Sequence, residues 1–161
     1  MAVRLNIRSE QGTALVEFAL VIPILLLVLF GTLTFAKAFN YWIDETHLAA
    51  EGARWAAVNS NPGGGGQTLQ QYIQQQADSS ELRGLAHVCI TFPTNSSTGT
   101  SGKVGDPVRV SVTSSYNWMP FVASRASLAP TTTIAGTATM RLEAPPDPAL
   151  AGNGGTGGSC S

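Results

Sequence analysis

Glu17 stands at the mouth of a long apolar run, five residues after Gly12 and directly before Phe18. No charged residue occurs between Phe18 and Ala36. At about 1.5 Å of rise per helical residue, this run and its flanks reach across a bilayer core. A carboxylate just inside such a segment is costly unless something neutralises it. The flanks matter as much as the acid. Gly12 lies upstream, and before it comes a short leader carrying Arg4 and Arg8 against Glu10. A buried acid, a glycine and a basic leader in that order read as a signal for processing and assembly.

The other residue types able to do chemistry are scattered. His47, His87, Cys89 and Cys160 fall at no spacing that makes a catalytic triad, a zinc site or a thiol–imidazole pair. Around Gly102-Lys103, a phosphate-binding loop would need glycine where Ser97 stands and Ser or Thr where Val104 stands. The expectation is a non-enzyme without metal or cofactor. A net charge of −1 offers no basic patch for nucleic acid. Cys89 and Cys160 are the two cysteines, and they are candidates for one disulfide if both lie outside the cytoplasm.

Positive charge before the apolar run predicts that the N-terminus stays cytoplasmic and that the chain beyond Lys37 lies on the far side. Three readings of the segment remain open on these grounds: a processed precursor, an unprocessed single-pass anchor of a binding module, or a secreted domain. Ala36-Lys37-Ala38 matches the small-x-small pattern of a leader peptidase site and would release the domain after Ala38. The length of the run and the presence of Glu17 argue against that last reading.

Gly12 followed by Thr13-Ala14-Leu15-Val16-Glu17-Phe18 resembles the type IV prepilin processing site. The aromatic after the glutamate, and the chain beyond it, resemble the TadE-type pseudopilins of the tight-adherence (Tad) pilus system. Glu51-Gly52-Ala53-Arg54 also resembles a stretch that follows the membrane helix in those proteins, although Ala50 stands where an arginine often precedes the glutamate. The resemblance implies cleavage between Gly12 and Thr13 by a prepilin peptidase at the bacterial cytoplasmic membrane. It implies partners among other pilin or pseudopilin subunits, met through the N-terminal helix within membrane lipid. Removing residues 1–12 takes away Arg4, Arg8 and Glu10, so the charge moves from −1 to −2. The new amine at Thr13 would then neutralise Glu17 of a neighbouring subunit, or Glu17 would reach the headgroups.

The elements that must position these residues are legible in pattern. A helix is expected over 13–58, interrupted in composition by Pro23, with Gly31, Thr32 and Thr34 as a patch for close helix approach. Phe39, Tyr41 and Trp42 sit where an interfacial aromatic belt is expected. Beyond them Thr46, Ala49, Ala50, Ala53, Ala56 and Ala57 form a stripe for packing, with Asp44, Glu45, Glu51 and Arg54 on the other face. Pro62 and the glycines after it end the helix.

Region 59–144 reads as an extracytoplasmic α+β part. Thr68 and Gln71 make a capping box for a short helix bearing Leu69, Tyr72, Ile73 and Ala77. Three period-two patterns follow, around Val88–Phe92, Val108–Thr113 and Ile134–Glu143. A long helix laid on a small antiparallel sheet of about three strands is the pilin-like architecture. Asn95-Ser96-Ser97 fits a sequon, but the surrounding Ser/Thr/Gly segment reads as a loop. The apolar cluster Tyr116, Trp118, Met119, Pro120, Phe121 and Val122 is read as core, with a membrane-resting hairpin or a subunit contact as the other options. Residues 145–161, rich in Pro and Gly, read as a flexible tail carrying Cys160.

Overall fold

The computed structural model describes residues 8–64, 66–118, 131–147 and 150, with side chains from 12 onward. The leader before Arg8, Met119 to Val122, most of the tail and Cys160 therefore lie outside the described residues. Contacts divide the chain into two compact units, Met1–Lys37 and Ala38–Ser161. Helix α1, Arg8–Ala57, runs through Pro23.

In the second unit, α1 is followed by α2 (Leu69–Gln75), α3 (Ser80–Leu85), β1 (His87–Thr91), β2 (Pro107–Asn117) and β3 (Thr131–Arg141). The strands form one antiparallel sheet in the order β1-β2-β3. Along β2, Val108, Val110, Val112, Ser114 and Tyr116 are buried on one face, as the period-two pattern requires. The stretch of α1 from Ala38 onward covers that face.

The helix and β2 are matched position by position. The rings of Tyr41 and Tyr116 meet edge to face at 5.6 Å. Next along, Ser114 Oγ donates a hydrogen bond to Glu45 Oε1. Further on, a Cβ added at Gly52 would come within 3.2 Å of Val110 Cγ1 and 2.6 Å of Ile73 Cδ1. Residue 41 thus meets 116, 45 meets 114 and 52 meets 110, the helix running against the direction of the strand. On β3, Gly136 lies so near the Glu45–Thr46 peptide of α1 that a side chain there has no room. Small residues set this approach.

Ends are closed by local chemistry. Asn59 adopts φ 51°, its N–H donates to the Ala56 carbonyl at 3.2 Å, and the Ser60 N–H donates to that of Trp55 at 3.0 Å. That Schellman arrangement stops α1 before the proline–glycine run is reached. The Ala57 carbonyl takes N–H donors from Glu143 (2.8 Å) and Ala144 (3.3 Å), tying the helix end to the chain after β3. The expected capping box of α2 forms: Thr68 Oγ1 accepts from the Gln71 N–H and the Gln71 side chain accepts from the Thr68 N–H.

Three expectations change. Helix α3 was not read from the sequence, although Ser79 caps it by accepting from the Leu82 N–H at 3.0 Å. Tyr41 belongs to the core rather than to an aromatic belt, whereas Phe39 and Trp42 are exposed with their rings 5.6 Å apart. Asp44 and Glu45 are buried and Thr46 is exposed, so the polar face of α1 starts elsewhere. The buried positions step through Ala38, Tyr41, Glu45, Leu48, Gly52 and Ala56, which puts Glu45 within the packing stripe.

Loop 94–106 is organised by one carboxylate. Asp106 accepts hydrogen bonds from Asn95 Nδ2 (3.1 Å), Thr98 Oγ1 (3.3 Å), Thr100 Oγ1 (2.9 Å) and the Lys103 N–H (3.1 Å). Burial works against its charge, but those bonds outweigh it and hold the carboxyl below the usual range. The Asn95 amide of the sequon is engaged inside this loop.

Candidate functional site

The first half of α1 carries the residues singled out for processing and assembly. Gly12, Thr13, Glu17 and Phe18 lie on one continuous helix, with Thr13 and Glu17 four residues apart on the same side. All four are exposed. A Cβ built on Gly12 would meet nothing within 4 Å. Glu17 has no hydrogen bond or ion pair among the described residues.

From Leu15 to Phe35 the large apolar side chains stay exposed, Leu15 at 70% and Leu27 at 72%, apart from the half-buried Ile22. So long an exposed apolar run is a surface that ordinarily meets lipid or another protein. Among the described residues one helix is long and apolar enough to cross a membrane. Thr32 and Thr34 return their hydroxyls to carbonyls one turn back, Thr32 to Leu29 at 2.8 Å and Thr34 to Phe30 at 2.9 Å. Their polar groups are therefore satisfied within the helix, as an apolar surrounding requires. The Gly31–Thr34 patch thus remains small and smooth.

In the second unit the unexpected residue is Glu45. It is fully buried, and Oε2 has no hydrogen-bond partner among the described residues. Burial pushes its carboxyl up to about 7, the Ser114 hydrogen bond opposes this, and the Asp44 charge adds to it. Asp44 is also raised, first by burial, while the Asp78 N–H donates to its Oδ2 at 3.0 Å and pulls the other way. The three-and-four-residue stepping of small and apolar positions through 45 was the signal that could have located it.

His47 and His87 are exposed and stand apart. Among the described residues no group of three His, Cys, Asp or Glu is placed to hold a metal. Cys89 is buried in β1, outside the apolar cluster that holds Val88 and Ile90, and it is not a free thiol. Trp118 joins the aromatic chain by meeting Tyr116 edge to face at 5.1 Å, and its Nε1 donates to Thr132 Oγ1 at 2.8 Å. Tyr116 is thus core, as read.

A long apolar helix whose later turns pack on a three-stranded antiparallel sheet defines the class: an α+β protein with, among the described residues, one candidate membrane span. Residues 12–54 match the family model of TadE-like proteins, so this stretch of the chain is similar to that family. The match begins at Gly12 and takes in Glu17, Phe18 and Glu51 to Arg54. No curated protein matches the chain. No solved structure matches it.

Proposed function

We propose that the chain is a minor pseudopilin, inserted as a single-span precursor with its N-terminus in the cytoplasm. A prepilin peptidase cleaves it between Gly12 and Thr13, and the mature subunit joins other pilin or pseudopilin subunits in assembling a Tad-type adhesive pilus or its secretion apparatus. Its role is structural, with the region beyond Lys37 outside the cytoplasm. The observation that carries this reading is the TadE-like match over 12–54, which begins at Gly12 and includes Glu17. The exposure of Gly12, with open space around it, supports access by a peptidase. The uncovered helix supports burial in lipid and then among neighbouring helices. Cys89 and Cys160 pair in this reading, stapling the tail to β1 in an oxidising compartment.

Cleavage leaves a cationic amine at Thr13, four residues from Glu17. In a bundle of such helices, the amine of one subunit neutralises the Glu17 carboxylate of the next. Removing one partner of a desolvated pair costs roughly 3–5 kcal/mol, which is more than a hundredfold in an association constant. Glu17→Ala is therefore expected to keep cleavage after Gly12 while lowering assembled pili by about two orders of magnitude. The check is a processing immunoblot beside a count of sheared filaments. Undiminished filaments from the variant would favour a plain anchor.

A further inference from the structure

We propose that Glu45 is a proton-controlled latch between α1 and the sheet: protonated, it lets the helix seat on β2 and β3, and ionised, it loosens that seat. The claim rests on geometry in the second unit and is independent of the processing and pilus reading. Glu45 is fully enclosed at the point where α1 crosses the sheet, with its own peptide against Gly136 of β3. Ser114 of β2 gives it one hydrogen bond, to Oε1. Oε2 faces the interior with no partner among the described residues. A carboxylate in that setting has one of its two oxygens unsolvated, whereas the neutral acid carries no net charge to desolvate.

Among the described residues no basic group offsets the site. From α1 the neighbouring charge is Asp44, which is of the same sign, and the exposed His47 acts on Asp44. Asp78, beyond α2, also acts on Asp44. β2 presents Ser114, and its Arg109 is exposed. β3 presents Gly136, and its exposed Arg141 donates from Nε to the Gly105 carbonyl at 3.2 Å. The phenols of Tyr41 and Tyr116 pack in the same core one step along. Ionisation of Glu45 thus adds charge that nothing on the facing elements cancels.

The direction follows from linkage. Unfolded, the carboxyl titrates near its ordinary 4.5, and folded it keeps its proton to about 7. The stabilisation is complete below the unfolded value and is lost as pH rises through the folded one. For the full chain in detergent micelles, the melting temperature should fall on the order of 5 °C between pH 5 and pH 8. Over the same range, hydrogen exchange corrected for intrinsic rate should speed up together in residues 41–57 and 131–141. Glu45→Gln should flatten both pH dependences. Ser114→Ala removes the bond that favours the charged form, so it should shift the transition to higher pH. That variant keeps the test decisive if Glu45→Gln does not fold. A pH profile unchanged by Glu45→Gln, or a transition unmoved by Ser114→Ala, would overturn the latch.

Discussion

Gly136→Ala, one methyl group in an exposed-edge strand, should unseat the helix from the sheet. Alanine ordinarily costs nothing in a strand relative to glycine and restricts the unfolded chain. Here its Cβ would land on the Glu45 carbonyl and the Thr46 nitrogen, both backbone atoms of α1. No rotamer relieves that contact, so two main chains must part and the core between them must open. Overpacking against flexible side chains costs about 1–3 kcal/mol, and a backbone–backbone clash belongs at or above the top of that range. The expected result is a melting temperature lowered by on the order of 10 °C for the full chain in detergent. Gly52→Ala is the comparison: its clash is with the terminal methyl of Ile73, which can turn away, so the loss should be smaller. Equal losses for the two variants would mean that the crossing at Gly136 is looser than described.

Gly12→Leu should abolish maturation without disturbing the fold. Nothing lies within 4 Å of a Cβ at Gly12, and leucine is a better helix former than glycine by roughly 0.8 kcal/mol. A loss of cleavage in this variant therefore reports on recognition at the scissile bond, because misfolding is not expected. The precursor should accumulate in the membrane with the mature band reduced to background, and its melting temperature should match that of the parent precursor. Normal processing of Gly12→Leu would remove the glycine from the proposed site.

Much of this architecture was legible because it rests on local pattern. The alternation in 88–92, 108–113 and 134–143 reports three strands of a sheet, and that antiparallel sheet forms, although in β1 Cys89 is buried as well as Val88 and Ile90. Thr68 and Gln71 carry their capping box in their own side chains, so the start of α2 was readable to the residue. The apolar run was readable because nothing but lipid or other helices suits it.

What escaped reading depends on contacts distant in sequence. Glu45 looks like a solvent-facing acid until Ser114, sixty-nine residues later, is brought against it. Tyr41 has the profile of a membrane-interface residue, yet Tyr116 draws its ring into the core. Gly136 sits among small strand residues and declares itself only when α1 crosses over it. The stop at Asn59 was overshadowed by the louder proline and glycines that follow, although asparagine is a common left-handed cap. At the N-terminal site the situation is reversed. Gly12 and Glu17 are conspicuous in sequence, while their partners in the proposed function belong to other molecules.

The central claim is maturation at Gly12, and the intact mass and N-terminal sequence of the protein from its native membranes test it most directly. The account predicts a chain that begins at Thr13, having lost residues 1–12. A chain that begins at Met1 or Ala2, or at Phe39, would contradict it.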